Sequence, residues 1–140
     1  MTRTVERSGH PTPAVLDIRR KVFIDEQGIP EDVELDGTDP GFVHWLLRDD
    51  GIAVATLRTK IADGVVKIGR VATLGSARGR GHARHLMQAA LDAARAEGAT
   101  RAYLSAQQDV LAWYARFGFT GDGAFYDDGG IPHRDMWADL

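Results

Sequence analysis

The segment Val65-Val66-Lys67-Ile68-Gly69-Arg70-Val71, followed shortly by Arg78-Gly79-Arg80-Gly81-His82-Ala83, decides the fold. The first segment is rich in β-branched residues and predicts a strand, and the residues after the second carry an apolar stripe at helical spacing. A strand, a turn of glycine and arginine, and a helix N-terminus in that order form an anion site, because free N–H groups and the helix dipole meet there. Glycines let a phosphate approach the backbone, and guanidinium groups neutralise its charge. The sequence therefore predicts that this turn binds a pyrophosphate.

The spacing of the turn residues distinguishes between kinds of phosphate site. No Gly-Lys pair occurs in the chain, which excludes a P-loop. Arg84 stands where the dinucleotide fingerprint G-x-G-x-x-G requires a third glycine or an alanine. The pattern that fits is R-x-x-G-x-A, at Arg78, Gly81 and Ala83. It resembles the acetyl-CoA signature Q/R-x-x-G-x-G/A of the GNAT acetyltransferase superfamily.

Neighbouring segments make that resemblance specific. A predicted strand, A-Y-L-S-A-Q at residues 102–107, is followed by a short helix that ends in W-Y-A-R-F-G-F at residues 113–119. These segments resemble the second block of the family, a strand and then a helix ending in Y-x-x-x-G-F. The segment V-F-I-D-E-Q-G at residues 22–28 is similar to the opening of small bacterial members of the ElaA-like branch. The likeness covers chiefly residues 65–137.

Length and composition are those of one globular domain over residues 1–140, with 44% apolar and 26% charged residues. The chain has no cysteine, which excludes a thiol nucleophile and a cysteine zinc site, and no histidine spacing implies a metal. The net charge of −3 disfavours nucleic-acid binding. No apolar stretch reaches membrane-spanning length and the N-terminus lacks a signal-peptide core, so we expect a soluble cytoplasmic protein.

The remaining elements follow from periodicity, caps and turn signals. We expect an opening strand at residues 1–7, a helix from Thr12-Pro13 to Gln27-Gly28, strands at 42–48, 52–61 and 65–74 joined by Asp50-Gly51 and Asp63-Gly64, a helix at 81–97, a strand at 100–106, a helix from an Asp109 N-cap to Gly118, and closing strands at 119–125 and 131–138. The resemblance implies the GNAT fold. This α/β (α+β) fold has a mixed, twisted sheet of six or seven strands, flanked by about four helices.

The segment from residue 25 to residue 39 contains seven carboxylates, and no Lys or Arg occurs between Val22 and Leu47. Two interpretations stay open. The segment is either a solvated surface loop or a rim that attracts a cationic amine.

The resemblance implies an N-acetyltransferase that moves the acetyl group of acetyl-CoA to a primary amine of a small molecule, by direct attack in a ternary complex. It places the pyrophosphate on the turn formed by Arg78, Gly79, Arg80, Gly81, His82, Ala83 and Arg84. The pantetheine then lies along the strand edge at Val71, Ala72 and Thr73, so the strand beginning at Arg101 must diverge from that edge. A backbone N–H near Ala72 or Thr73 would polarise the thioester.

Further residues receive roles from the same resemblance. Tyr114 matches the family tyrosine and would protonate the departing thiolate, although transfer from a phenol to a thiolate is uphill by roughly 2 kcal/mol at reference pKa values. His133, in G-I-P-H, would be the general base, with Glu26 as the alternative. Arg70 would bind a carboxylate of the acceptor, and Gln107 would line the same pocket.

Three other interpretations remain at this stage. One is a protein or peptide N-acetyltransferase, another is a non-catalytic module that binds CoA, and the third is a nucleotide-binding domain of another family. Proteins that resemble this chain are often dimers, which makes a homodimer an expectation as well. Neither the acceptor nor the oligomeric state follows from the sequence.

Overall fold

The computed structural model describes residues 1–140 as one mixed sheet with helices on both faces. Its seven strands are β1 (Arg3–Ser8), β2 (Val43–Asp49), β3 (Ile52–Ala62), β4 (Val65–Thr73), β5 (Arg101–Gln107), β6 (Thr120–Asp128) and β7 (Ile131–Asp139). Its four α-helices are α1 (Pro13–Arg19), α2 (Glu31–Glu34), α3 (His82–Ala96) and α4 (Leu111–Ala115). The strand order is β1-β2-β3-β4-β5-β7-β6, with β4 and β5 parallel and every other neighbouring pair antiparallel. The predicted fold class, sheet size and helix number are confirmed.

Tight turns set the register of strands β2, β3 and β4. Asp50-Gly51 and Asp63-Gly64 both have positive φ at each residue, which is the backbone of a type I′ hairpin turn. Gly129-Gly130 has the same form between β6 and β7. These turns match the sense of strand twist, so β2 to β4 form the meander that the sequence predicts.

The apolar stripe of α3 forms the larger core. Leu86, Met87, Ala90, Leu91 and Ala94 are each at most 2% exposed and belong to one cluster with buried residues of β2 to β5 and β7. On the other sheet face, a smaller cluster joins Val15, Ile18, Val22 and Phe23 to Leu46 and Ala72. The helix that contributes it begins at Thr12, whose hydroxyl accepts from the Val15 N–H, and continues beyond α1 as a π-helical segment, Arg20–Glu26.

The last helix differs from the sequence prediction at both ends. A 3₁₀ turn, Gln108–Val110, precedes α4, and Val110 occupies the cap position without a side-chain hydrogen bond. The prediction of Asp109 as the N-cap is therefore wrong, because the 3₁₀ turn places that residue too early. The helix ends at Ala115, and the chain then turns through Gly118 at φ 92° before β6.

Strand β6 forms one edge of the sheet, and all nine of its residues are exposed. Its pairing with β7 shifts register between Asp122 and Tyr126, and Gly123 within the shift has φ 76°. Arg134 of β7 donates from Nε to the Gly123 carbonyl at 3.0 Å. The edge is therefore bulged, and an arginine of the neighbouring strand binds the bulge.

A buried ionic network joins α1, α2 and the first hairpins. Arg19 and Glu34 are each 1% exposed, and the Nε–Oε1 distance is 2.6 Å. Asp39 Oδ1 lies 2.8 Å from Nη1 of Arg19 and 2.8 Å from Nη1 of Arg58, and Arg70 Nε lies 2.6 Å from Glu34 Oε2. Burial alone would raise the pKa of Asp39, but its hydrogen bonds and charge contacts with the arginines outweigh that effect and lower it.

This network revises the two interpretations of the acidic segment. Glu34 and Asp39 are internal partners of buried arginines, so they neither face solvent freely nor form a rim. Other carboxylates of the segment, such as Glu31, are exposed. The fold thus uses part of this segment to neutralise its own guanidinium groups.

Replacing Glu34 tests this assignment. We expect Glu34→Ala to lower the free energy of unfolding by about 3–5 kcal/mol, because it leaves buried guanidinium charges without a partner. Glu31→Ala is the matched control in the same helix, since its ion pair with Arg20 is exposed and is worth at most about 1 kcal/mol. Urea unfolding of both variants measures the difference, and equal stability of the two would contradict the role of Glu34.

Candidate active site

Strands β4 and β5 diverge halfway along their length. They pair only where Val65–Ile68 of β4 faces Arg101–Leu104 of β5. Beyond that point β5 pairs with β7 alone, and residues 69–73 of β4 have no partner on the β5 side. A wedge-shaped gap therefore opens between the carboxyl ends of the two strands, as the sequence analysis expected.

A β-bulge lies where the strands begin to diverge. Arg58 faces Gly69 and Thr56 faces Ala72, so two residues of β4 stand opposite the single residue Leu57. Arg70 is one of these two residues and has φ 52°, a left-handed conformation that costs free energy in a non-glycine residue. Its guanidinium is held by Glu34, which fixes the bulge from the α2 side.

The bulge determines which backbone groups face the gap. The Leu74 N–H donates to the Val54 carbonyl of β3 at 2.9 Å. Because successive residues of a strand point their backbone groups in opposite directions, the N–H and C=O of Thr73 face the gap instead. The Thr73 carbonyl there accepts from Arg78 Nε at 3.2 Å. Of the two predicted donors, Ala72 and Thr73, the geometry favours Thr73.

The turn after β4 presents the start of α3. Gly79 and Gly81 have φ 79° and 78°, and Gly81 caps the helix without any side-chain hydrogen bond. The His85 N–H makes the first intrahelical bond to the Gly81 carbonyl. The N–H groups of the residues before His85 in the first turn therefore have no intrahelical acceptor, which is the arrangement that binds anions. Arg80 and Arg84 are exposed beside these groups.

Arg78 and Glu26 form an ion pair across the turn, although the sequence predicts separate roles for them. Arg78 donates from Nη1 and Nη2 to the two oxygens of Glu26 at 2.6 and 2.8 Å. The hydrogen bond from Arg78 is the main reason that the pKa of Glu26 is lowered. A carboxylate held in this way is a weaker base than a free one.

Tyr114 lies in α4 within the larger core. Its ring makes edge contacts with Trp113 and Phe119, with centroids 5.0 and 6.2 Å away, and the residue is 8% exposed. Burial raises the pKa of its phenol. Tyr114 is therefore a protonated hydrogen-bond donor at neutral pH, and full proton transfer from it is more costly than reference values imply.

His133 is oriented by its own strand. Its Nδ1 lies 2.8 Å from the Ile131 carbonyl. Because a carbonyl only accepts, Nδ1 carries the proton in the neutral ring and Nε2 is left with its lone pair. The ring of Tyr126 lies nearly parallel to the imidazole, at an interplanar angle of 23° and a centroid distance of 6.3 Å.

A cavity of about 630 Å³ lies at the carboxyl end of β5, beside the two residues that precede His133 in β7. It is lined by Gln27, Gln107, Gln108, Asp109, Ile131 and Pro132. The amides of Gln27 and Gln107 bond to each other in both directions, at 3.4 and 2.9 Å. The predicted pocket residue Gln107 is thus at the cavity, whereas Arg70 contacts Glu34 and Asp36 instead.

One cluster near the site was not found from the sequence. Tyr103 and Tyr126 both donate to Oδ1 of Asp135, at 2.7 and 2.6 Å, and Ser105 contacts the Tyr126 hydroxyl. Alternation along β5 puts Tyr103 and Ser105 on the same face as Gln107. The register of β7, which brings Asp135 opposite Ser105, carries no local signal in the sequence.

No group of three or more His, Asp or Glu side chains is placed to hold a metal ion. No helix combines the length and apolar character needed to cross a bilayer.

The divergent parallel pair and the glycine-arginine turn at the start of α3 define the acyl-CoA N-acyltransferase fold. The chain belongs to the acetyltransferase (GNAT) family, whose sequence model matches residues 12–119. A UPF0039 protein of Mycobacterium tuberculosis is 40% identical over 129 residues, which cover 87% of this chain and 80% of that protein.

Solved structures agree with this assignment. An acyl-CoA N-acyltransferase from Pseudomonas aeruginosa is 35% identical, with a TM-score of 0.84 and coverage of 98% of this chain and 99% of that one. ElaA from Escherichia coli is 27% identical, with a TM-score of 0.83 and the same coverage. The expected resemblance to GNAT proteins, and to ElaA among them, is confirmed.

Proposed function

We propose that this protein transfers the acetyl group of acetyl-CoA to a primary amine of a small molecule, by direct attack in a ternary complex. The observation that carries the proposal is the gap between β4 and β5. On one side of the gap β4 runs into the turn before the uncapped start of α3, and on the other side β5 ends at Gln107, which lines the cavity. A donor and an acceptor bound from the two sides would meet at the gap.

Acetyl-CoA would occupy the turn and the free strand edge. The backbone N–H groups of the turn from Arg78 to Arg84 suit a pyrophosphate, and the edge of Val71–Thr73 suits the amides of pantetheine. The Thr73 N–H would then donate to the thioester oxygen, where such a donor is typically worth about 2.7–4 kcal/mol of barrier. A GNAT acetyltransferase of Elizabethkingia anophelis, 13% identical with a TM-score of 0.76, was solved with acetyl-CoA bound, which supports this choice of donor.

Tyr114 would stabilise the departing thiolate by hydrogen bonding. Its raised pKa keeps the hydroxyl protonated, and the T-shaped contacts of its ring fix the position of the phenol. Donation of a hydrogen bond does not require full proton transfer. This role is therefore compatible with a buried phenol, and the proton that ends on sulfur would be the one that His133 takes from the amine, delivered through water.

His133 would accept the proton of the attacking amine. Its Nε2 has the free lone pair, because Nδ1 is bonded to the Ile131 carbonyl. Glu26 is the weaker candidate, because its ion pair with Arg78 lowers its pKa. The cavity beside His133 contains amide groups and one carboxylate, Asp109, and no Lys or Arg lines it. This lining supports a cationic or neutral amine, and recognition of an acceptor carboxylate by Arg70 would require Arg70 to exchange its bond with Glu34.

Ligand-dependent stability tests the donor. At about 100 times its Kd a ligand stabilises the native state by roughly 2.7 kcal/mol, so we expect acetyl-CoA to raise the Tm by about 5–15 °C. ADP and NAD at the same concentration are the controls, and they should raise the Tm much less. An amine panel read by thiol release, with a lysine peptide included, then separates a small-molecule enzyme from a peptide acetyltransferase. No rise with acetyl-CoA would refute the proposal.

The Tyr114 hydroxyl can be removed with little change of shape. We expect Tyr114→Phe to lower kcat by about 10²-fold, because the developing thiolate loses its donor. The Kd of acetyl-CoA should be nearly unchanged, since the ring and its packing remain. Steady-state kinetics and calorimetry measure the two quantities, and an unaltered kcat would remove Tyr114 from the mechanism.

The pH–rate profile tests His133. A histidine base must be deprotonated to act, so activity falls as the pH drops and the ring takes up a proton. We expect His133→Ala to lower kcat/KM and to abolish this acidic limb. His10→Ala, at an exposed histidine before α1, is the control. A limb that persists in His133→Ala but is lost in Glu26→Gln would transfer the role to Glu26.

A further inference from the structure

Arg3, at the start of β1, contacts the cofactor turn although it lies 77 residues from Arg80 in sequence. Its Nη2 donates to the Arg80 carbonyl at 2.5 Å, and its Nε donates to His82 Nδ1 at 3.2 Å. A Cβ atom placed on Gly81 would lie 3.6 Å from the same Nη2. One guanidinium thus hydrogen-bonds to Arg80 and His82 and lies beside Gly81 between them.

The contact with Arg80 determines where the next N–H points. The Arg80 carbonyl and the Gly81 N–H belong to one planar peptide unit, and the chain contains no cis bond, so the two groups point in opposite directions. Because Arg3 holds the carbonyl on the β1 side, the Gly81 N–H is directed away from β1. In the strand order, the gap between β4 and β5 also lies on the side of β4 that is away from β1.

His82 holds the Arg3 side chain in place. Its ring is fully buried, and because Nδ1 accepts from Arg3, the ring proton lies on Nε2, 3.4 Å from Asp49 Oδ2. Desolvation, followed by the charge of Arg3, lowers the pKa of His82, so the ring is neutral. The partners of the Arg3 guanidinium are a carbonyl and a neutral imidazole. Neither partner is an anion, and Asp49, which faces Arg3 across β1 and β2, contacts the His82 ring and forms no ion pair with Arg3.

We propose that Arg3 is a positioning residue for the pyrophosphate of acetyl-CoA. It orients the Arg80–Gly81 peptide so that the Gly81 N–H faces the anion, and it adds a positive charge beside that peptide. The sequence motif of the turn extends from Arg78 to Ala83, so Arg3 lies outside the motif. The inference rests on the proposed function, because it takes CoA as the ligand of the turn.

The test compares donors with and without the pyrophosphate. We expect Arg3→Met to raise the Kd of CoA, measured by calorimetry, and the KM of acetyl-CoA by about tenfold, the effect of losing one charge-assisted hydrogen bond. The kcat at saturating acetyl-CoA should stay within about twofold. With acetyl-pantetheine, which has the thioester but no pyrophosphate, kcat/KM should equal that of the wild type, and Arg3→Lys should recover part of the CoA affinity.

Arg7→Met is the matched control on the same strand. The Arg7 guanidinium lies 4.3 Å from the Trp45 ring centre and pairs with Glu97. Arg7→Met therefore removes a cation from β1 without removing a contact with the turn. Its Kd for CoA should be that of the wild type. If Arg3→Met does not fold, Arg3→Lys carries the same comparison of donors.

The outcomes separate this inference from the proposed function. If the wild type does not bind CoA, the proposed function fails whatever Arg3 does. If the wild type binds CoA and Arg3→Met binds it equally well, the positioning role is refuted. If Arg3→Met loses activity with acetyl-pantetheine to the same extent as with acetyl-CoA, the residue has a general structural role and the inference is also refuted.

Discussion

The divergence of β4 and β5 after Ile68 and Leu104 determines how the neighbouring elements must be arranged. Two parallel strands that diverge leave backbone donors and acceptors without ladder partners, and such groups are costly when they are buried. Contacts close to the gap provide partners for these backbone groups. Arg78 binds the Thr73 carbonyl at the open edge, and β7 takes over the pairing of β5.

A network of buried ion pairs stabilises the bulge of β4 beside the gap. The left-handed Arg70 at the bulge of β4 is tied to Glu34, which also binds the fully buried Arg19, and Asp39 joins Arg19 to Arg58 of β3. Removing any member leaves a buried charge without its partner, so the members depend on one another. The acidic segment between α1 and β2 is therefore a structural clamp on the bulge. Arg3 and His82 provide a comparable link at the other end of the gap, between β1 and the turn.

Local signals in the sequence predicted most of the fold and part of the site. Periodicity, Asp-Gly turns and the stripe of α3 are short-range features, and the corresponding elements match within a few residues, apart from α4 and its misplaced cap. The ion pairs Arg78–Glu26 and Arg70–Glu34, the tyrosines on Asp135 and the contacts of Arg3 join residues far apart in the chain. Such contacts depend on strand register and on which face each side chain occupies, which composition and spacing do not encode. The catalytic roles of Tyr114 and His133 stay predictions, as do the cofactor contacts.

The bulge of β6 affects whether a further strand can pair with the sheet. A straight outer strand exposes a row of unpaired N–H and C=O groups, which is a template for another chain. Here Gly123 interrupts the row, and Arg134 already occupies its carbonyl. An incoming strand would meet a bent edge with one acceptor already taken. The bulge therefore disfavours the pairing of an eighth strand with this exposed border.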